Sequence, residues 1–145
     1  MSLSPVTLFV YGTLRAPEVQ RALFGRETPG RPASLDGHRL FEAGDYWFAA
    51  PAAGCVVHGE LLALDDEDVR RADLWEDVPV YQRVAVTVRC GAGEIEEASM
   101  YTRLGATGAP VEAAGYASRP IEEVVAAVRA VALHFGFAER GAEGP

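Results

Sequence analysis

Two short segments of the chain carry residue types that could take part in catalysis. The first is Tyr11-Gly12-Thr13-Leu14, which directly follows an apolar run. A glycine at such a position permits either a positive φ or a close approach of the backbone to a ligand. Successive backbone N–H groups that leave a strand and enter a helix can also bind an anion. The segment is therefore either an anion-binding loop or a simple tight turn.

The second segment centres on Glu76, at the end of a short helical pattern that begins with acidic residues. Its neighbours include the apolar residues Leu74, Trp75, Val78 and Pro79. Desolvation of a carboxylate by apolar neighbours raises its pKa, which suits a general base that works near neutral pH. The alternative is a glutamate on the helix surface whose carboxylate reaches water.

Motifs for metal, nucleophile and nucleotide sites are missing from the sequence. His38, His58 and His134 are far apart, and none stands in an H-x-x-H pattern. There is no G-x-S-x-G segment, no Walker A loop and no G-x-G-x-x-G after a strand. Cys55 and Cys90 are too few for a disulfide scaffold, so we expect buried, reduced thiols. We expect neither a metal nor a cofactor.

Composition and charge narrow the class of protein. With 145 residues, of which 49% are apolar and 23% charged, the chain has the make-up of one globular domain. The net charge of −8 opposes binding to nucleic acid or to anionic lipid surfaces. No segment reaches the ~20 apolar residues that a membrane span needs. We therefore expect a single cytoplasmic domain over residues 1–145, with a loose tail at residues 139–145.

Periodicity and turn residues predict the elements that must position the two segments. Residues 6–11 form a continuous β-branched and aromatic run, typical of a strand buried on both faces. Strands are predicted at residues 6–11, 33–42, 55–64, 81–90 and 94–103. Helices are predicted at residues 17–24, 69–75 and 120–137. Loops are predicted at residues 28–32, 43–54 and 105–115.

Local signals mark the ends and interruptions of these elements. Gly25 follows the first predicted helix, Gly136 lies near the end of the last one, and Ser118 is the expected N-cap of the last one. The acidic run at residues 65–68 suits the positive end of the middle helix, where we expect capping and solvation. Gly37 interrupts the second predicted strand.

The predicted loop at residues 43–54 contains three adjacent aromatic residues, Tyr46, Trp47 and Phe48. Because loops run over the surface, three aromatics in a row indicate either a lid on the core or the wall of a ligand site. The sequence does not assign roles to Tyr46 and Trp47.

Taken together, the two segments resemble the gamma-glutamylcyclotransferase-like family from about residue 8 to residue 101. The family's Y-G-x-L loop matches Tyr11-Gly12-Thr13-Leu14, and its L-D-x-x-E segment matches Ala72-Asp73-Leu74-Trp75-Glu76, with Ala in place of the first Leu. Its G-E/x-L/V strand end matches Gly59-Glu60-Leu61, and its Y-x-R matches Tyr81-Gln82-Arg83. A later strand tyrosine of the family matches Tyr101. The chain differs from the family at Asp77, often Gly, and at Tyr46-Trp47, often Tyr-Pro.

The resemblance implies an α+β fold, a small mixed β-barrel with flanking helices and a site at the barrel mouth. It also implies a γ-glutamyl cyclotransferase, in which the α-amine of the substrate attacks its own γ-carbonyl. This closes 5-oxoproline and releases an amine or amino acid. Such an intramolecular attack needs no protein nucleophile and no metal, in agreement with the missing motifs.

The resemblance also implies roles for individual residues. Glu76 carries the proton. The backbone N–H groups of Gly12, Thr13 and Leu14, called the Gly12 loop below, hold a carboxylate or the developing oxyanion. The residues that it assigns to substrate binding are Tyr11, Gly12, Thr13, Leu14, Tyr81 and Tyr101. Tyr81 and Tyr101 either orient the substrate or serve as core aromatics.

The expected partner is a small γ-glutamyl compound. The sequence leaves open which donor it is, which amine leaves and how many copies assemble. The alternative function is a non-catalytic module that binds γ-glutamyl or carboxylate ligands.

Overall fold

Five strands form a closed mixed barrel, with three helices and a two-residue sixth strand. The computed structural model describes residues 6–43, 46–76, 81–103, 105–111 and 120–137, so the predicted loose tail lies outside the described residues. The strands are β1 (Val6–Val10), β2 (Arg31–Ala43), β3 (Tyr46–Leu64), β4 (Gln82–Cys90), β5 (Glu94–Thr102) and β6 (Ala109–Pro110). The helices are α1 (Pro17–Phe24), α2 (Asp66–Trp75) and α3 (Ile121–Phe135).

The barrel places β1 between β3 and β5. The strand order is β3-β1-β5-β4-β2, and a further pairing of β2 with β3 closes the ring. β1 runs parallel to β5 and antiparallel to β3. The prediction of a mixed α+β barrel with flanking helices is therefore confirmed.

The two faces of β1 pack into separate apolar clusters, which confirms the prediction of a strand buried on both sides. Phe9 lies in a cluster to which all five barrel strands contribute, and this cluster fills the barrel. Leu8 and Val10 lie in the other cluster, together with residues of α1 and α3 such as Leu23 and Val128. The helices thus cover the outside of the barrel wall that leads to the Gly12 loop.

The predicted helices are present, with two corrections at their starts. α1 and α3 end at Gly25 (φ 76°) and Gly136 (φ 69°), as the sequence indicates. The N-cap of α3 is Pro120, whereas Ser118 lies outside the described residues.

Asp65 caps α2 in a reciprocal capping box with Asp68. Asp68 is fully buried and pairs with Arg26, so solvation was the wrong expectation for this residue. No helix in the described segments is long and apolar enough to cross a membrane.

The prediction of a loop over residues 43–54 is wrong, because the described part of this segment is the first half of β3. It pairs with β2 from Ala43 opposite Tyr46 to His38 opposite Pro51. Its many alanines have low intrinsic strand preference, so pairing with β2 decides the conformation. Trp47 and Phe48 are buried, and Phe48 packs in the apolar cluster of Leu8 and Val10, so neither lies on a surface loop.

The hairpin of β2 and β3 contains an irregularity that the sequence marks only with glycines. The register shifts between Asp36 and His38, and Gly37 (φ 72°) and Gly54 (φ 79°) both adopt the left-handed conformation. On β3, regular pairing stops at Pro51 and resumes at Val56. The stretch between them bulges away from its partner strand.

The two cysteines differ in exposure because of this bulge. Both are free thiols, but Cys55 lies in the bulge and is partly exposed, whereas Cys90 is buried at the end of β4. The expectation of two buried thiols is therefore wrong for Cys55.

In the native protein a disulfide reagent is expected to modify one thiol rapidly, and denaturant is expected to release the second. Cys55→Ser should remove the fast phase and Cys90→Ser the slow one; equal rates for both thiols would contradict the structure.

Candidate active site

The Gly12 loop leaves β1 through a tight 3-10 turn. Gly12 precedes the turn, which spans Thr13–Arg15, and the N–H groups of Arg15 and Ala16 donate to the carbonyls of Gly12 and Thr13 at 3.0 Å. Gly12 has a φ of −126°, so the positive φ that its type allows is not used. A close approach of a ligand to Gly12 stays a prediction, and the observed geometry also fits the alternative of a simple tight turn.

A buried glutamine holds this loop from behind. The Gln20 Nε2 donates to the carbonyl oxygen of Leu14 at 2.8 Å, and the Gln20 Oε1 accepts from the backbone N–H of Thr28 at 2.9 Å. Gln20 and Leu14 are both buried. The loop is therefore fixed to α1 and to the chain that leads into β2, which leaves its backbone preorganised.

Glu76 is the C-cap of α2, and its backbone N–H donates to the carbonyl of Ala72 at 2.8 Å. The side chain is partly buried. Burial, followed by the nearby negative charge of Asp73, raises the pKa of Glu76 to about 8. The carbonyl end of a helix also disfavours a negative charge. Glu76 is thus mostly protonated at pH 7 and is not a solvated surface glutamate.

This pKa links Glu76 to the pH dependence of folding. An unfolded glutamate has a pKa of about 4.3, whereas the folded value is about 8, so the native state holds an extra proton between these pH values. The free energy of unfolding therefore falls as the pH rises through this window. Glu76→Gln removes the titrating group. We therefore expect the Tm of the variant, relative to the Tm of the parent, to increase from pH 5 to pH 9. A Tm difference that stays constant with pH would contradict the raised pKa.

The three tyrosines assigned to binding are buried, and each hydroxyl donates to an acceptor within the protein. The Tyr11 hydroxyl donates to the carbonyl of Tyr101 at 2.7 Å and accepts from the N–H of Ala49 at 3.2 Å. The Tyr81 hydroxyl donates to the carbonyl of Trp47 at 2.8 Å. Through these hydrogen bonds, Tyr11 and Tyr81 connect the first half of β3 to the end of β1 and to the start of β4. Of the two readings for Tyr81, the geometry favours a core aromatic.

Tyr101 and Tyr11 both interact electrostatically with Glu76. Burial raises the pKa of both tyrosines, and Glu76 adds to the rise in each. The Tyr101 hydroxyl donates to Asp73 Oδ1 at 2.5 Å. The structure therefore brings Glu76 within electrostatic range of Tyr101 on β5 and of Tyr11, the residue that precedes Gly12.

Sequence reasoning missed the pair of Asp73 and Arg83. The Arg83 Nε and Nη2 donate to the two carboxylate oxygens of Asp73 at 2.9 and 3.3 Å. With Tyr101, this pair joins α2 to β4 and β5 beside Glu76. Both residues stand inside the matched L-D-x-x-E and Y-x-R segments, so the signal was present, but nothing in the sequence shows that the two segments meet.

Gly59 has a steric role beside the loop. A Cβ at this position would lie 2.3 Å from the carbonyl oxygen of Val10 and 2.9 Å from the ring of Phe9. The next residue, Glu60, is paired with Val10 across the strands, and its carboxylate lies 3.8 Å from Arg15 Nε. The G-E/x-L/V segment therefore brings β3 close to β1 where the loop begins.

The described residues contain no group of three His, Cys, Asp or Glu side chains placed to hold a metal ion. Of the three histidines, His58 Nδ1 lies 3.1 Å from Ser34 Oγ and His38 Nδ1 lies 3.0 Å from the carbonyl of Asp36. What the described residues offer is a carboxylic acid whose pKa is raised to about 8 and which interacts electrostatically with Tyr11 and Tyr101. This combination suits proton transfer at a polar substrate.

A comparison with family models and a comparison with solved structures each gave matches. The model of the family described as "Gamma-glutamyl cyclotransferase, AIG2-like" matches residues 8–118, an interval that contains the loop, Glu76 and Tyr101. A mouse AIG2-like protein is 25% identical, with a TM-score of 0.60, 72% of this chain and 81% of that chain covered. A comparison with curated proteins gave no match.

Two further solved structures support the fold. An Arabidopsis thaliana protein solved in solution is 20% identical, with a TM-score of 0.66 and coverage of 100% of this chain and 97% of that chain. A gamma-glutamyl cyclotransferase is 15% identical, with a TM-score of 0.61 and coverage of 91% of this chain and 80% of that chain.

Proposed function

Because the chain belongs to the gamma-glutamyl cyclotransferase, AIG2-like family, we propose that it converts a γ-glutamyl compound into 5-oxoproline and a free amine or amino acid. The observation that carries this proposal is the carboxyl group of Glu76, whose pKa is raised to about 8 and which interacts electrostatically with Tyr11, the residue before Gly12. We further propose that residues 1–145 act as a single cytoplasmic domain, as the composition indicates.

The proposed reaction rearranges bonds within the substrate. The nitrogen of the α-amine forms a bond to the γ-carbonyl carbon, and the bond from that carbon to the leaving nitrogen breaks. The proton lost by the α-amine ends on the leaving amine, so neither water nor a protein nucleophile is consumed. The two reacting groups are already linked covalently, so the protein contributes by holding the substrate in the attacking conformation.

In this proposal Glu76 carries the proton between the two nitrogens. The carboxylate form accepts a proton from the α-ammonium, and the resulting acid returns one to the leaving amine. A bound ammonium favours the negative charge on Glu76, so substrate binding counteracts the raised pKa. A group whose pKa lies near the working pH serves both directions of transfer.

The backbone of Gly12, Thr13 and Leu14 is proposed to bind the negative groups of the substrate. The loop is fixed by Gln20, so its N–H groups need little reorganisation to meet a carboxylate or the developing oxyanion. The absence of a side chain at Gly12 would let the substrate approach the backbone. Tyr11, Tyr81 and Tyr101 shape this site through their rings and hold its walls in place.

A panel of γ-glutamyl compounds, scored for 5-oxoproline by mass spectrometry, tests the proposed function. The panel includes dipeptides, γ-glutamyl amines and γ-glutamyl-ε-lysine isopeptides, each with an N-acetylated counterpart that lacks a nucleophilic amine. We expect 5-oxoproline from at least one free-amine compound and from none of the acetylated ones. Binding without product would support the alternative, a non-catalytic binding module. No binding and no product would refute the γ-glutamyl assignment.

A further inference from the structure

Asp73 is held rigidly by residues from two other elements. The guanidinium of Arg83, on β4, donates to both of its carboxylate oxygens at 2.9 and 3.3 Å. The hydroxyl of Tyr101, on β5, donates to one of these oxygens at 2.5 Å. With three donors from two strands, the Asp73 carboxylate has a single orientation relative to α2.

Glu76 follows Asp73 by three residues on the same helical path. Glu76 keeps right-handed helical dihedrals (φ −76°, ψ −4°) although it caps α2. Residues three apart on a helix are neighbours on its surface, about 5–6 Å apart at Cβ. The charge of Asp73 is therefore close enough to act on the carboxyl group that the proposed function uses.

We propose that Asp73 is a positioning residue for Glu76: clamped by Arg83 and Tyr101, it places a fixed negative charge beside Glu76 that favours the proton-carrying form of its carboxyl group. This inference rests on the proposed function for its purpose but not for its test. Arg83 pairs with Asp73, and both side chains remain partly exposed, at 37% and 30%.

Other ionisable groups around Glu76 do not replace Asp73 in this role. Among the described residues, Glu76 interacts electrostatically with Asp73 on its own helix, with Tyr11 at the end of β1 and with Tyr101 on β5. Burial raises the pKa of both tyrosines, so they are neutral across the working range of pH. Asp73 is thus the charged neighbour in this set, and burial supplies the rest of the effect on the pKa of Glu76.

The test is a carbon-13 NMR titration of the glutamate side-chain carboxyls in protein labelled at glutamate. The Glu76 resonance is identified by its absence in Glu76→Gln. Asp73→Asn is expected to lower the pKa of Glu76 by on the order of one unit. Asp66→Asn is the matched control, because Asp66 is exposed in the first turn of the same helix, and it should leave that pKa unchanged.

A second pair of variants separates charge from structural damage. Arg83→Met and Tyr101→Phe keep the charge of Asp73 while weakening its clamp, so the pKa of Glu76 should stay raised in both. A lowered pKa in all three variants, or an unchanged pKa in Asp73→Asn, would overturn the inference. If Asp73→Asn does not fold, Asp73→Ser is titrated in its place: a lowered pKa of Glu76 supports the inference, and a pKa equal to that of the parent overturns it.

The titration needs no turnover, which separates the two claims. Failure of the γ-glutamyl panel with a lowered pKa in Asp73→Asn would refute the proposed reaction and leave the electrostatic role of Asp73 standing. Where the parent does turn over, the acidic limb of its kcat/KM profile should move with the NMR value in Asp73→Asn. A change in kcat alone, with the pH profile fixed, would indicate a structural role only.

Discussion

Replacement of Glu76 by Gln is expected to lower kcat by about 10²- to 10⁴-fold, the usual contribution of a general acid–base group. Gln is nearly isosteric with Glu, so the shape of the site survives, but it cannot accept a proton at neutral pH. Substrate affinity, measured by calorimetry, should change by only a few-fold. The rate of 5-oxoproline release by parent and variant gives the comparison.

The pH profile provides a second readout for the same variant. In the parent, kcat/KM should rise with pH towards about 8, because the carboxylate of Glu76 must be ionised to accept the first proton. The remaining activity of Glu76→Gln should lack this limb. Glu67→Gln is the matched control, since Glu67 lies on the same helix and pairs with Arg70 and Arg71. Near-full activity in Glu76→Gln would show that another residue carries the proton.

Gly59→Ala is expected to destabilise the fold by about 3 kcal/mol or more, at the upper end for overpacked positions. The added Cβ would meet the carbonyl oxygen of Val10 at 2.3 Å, and this backbone atom is held in the β1–β3 pairing. Either β3 moves away from β1 or the end of β1 shifts, and both displace the Gly12 loop. Urea denaturation of parent and variant measures the loss, and 5-oxoproline release should fall with it.

Gly37→Ala is the comparison for this substitution. A Cβ added at Gly37 would have no atom within 4 Å. Because the φ of Gly37 is 72°, only backbone strain opposes this substitution. That strain costs about 1–2 kcal/mol. An unfolding free energy for Gly59→Ala equal to that of the parent would show that β1 and β3 are not in this close contact.

Elements with strong local signals were predictable from the sequence. The apolar run of β1, the proline and glycine at the two ends of α1 and the acidic start of α2 each act within a few residues, and all three elements are present. The first half of β3 was missed because its alanine-rich sequence has little strand preference of its own. Its conformation comes from pairing with β2, which is a tertiary effect.

The site shows the same division between local and long-range information. The Gly12 loop and Glu76 were identified from the residues around them and from the resemblance. The contact of Asp73 with Arg83 and Tyr101 was not, because it depends on how α2 packs against β4 and β5. The burial of Asp68 against Arg26 was missed for the same reason: its partner lies far away in the sequence.

Turnover in water enriched in oxygen-18 tests the central claim most directly, namely that the substrate's own amine displaces the leaving group. An active γ-glutamyl compound is incubated with the parent protein, and the products are analysed by mass spectrometry. Intramolecular attack predicts 5-oxoproline without oxygen-18, because no water enters the reaction. Glutamate that carries oxygen-18 would instead show hydrolysis of the γ-amide and would contradict the proposed cyclotransferase.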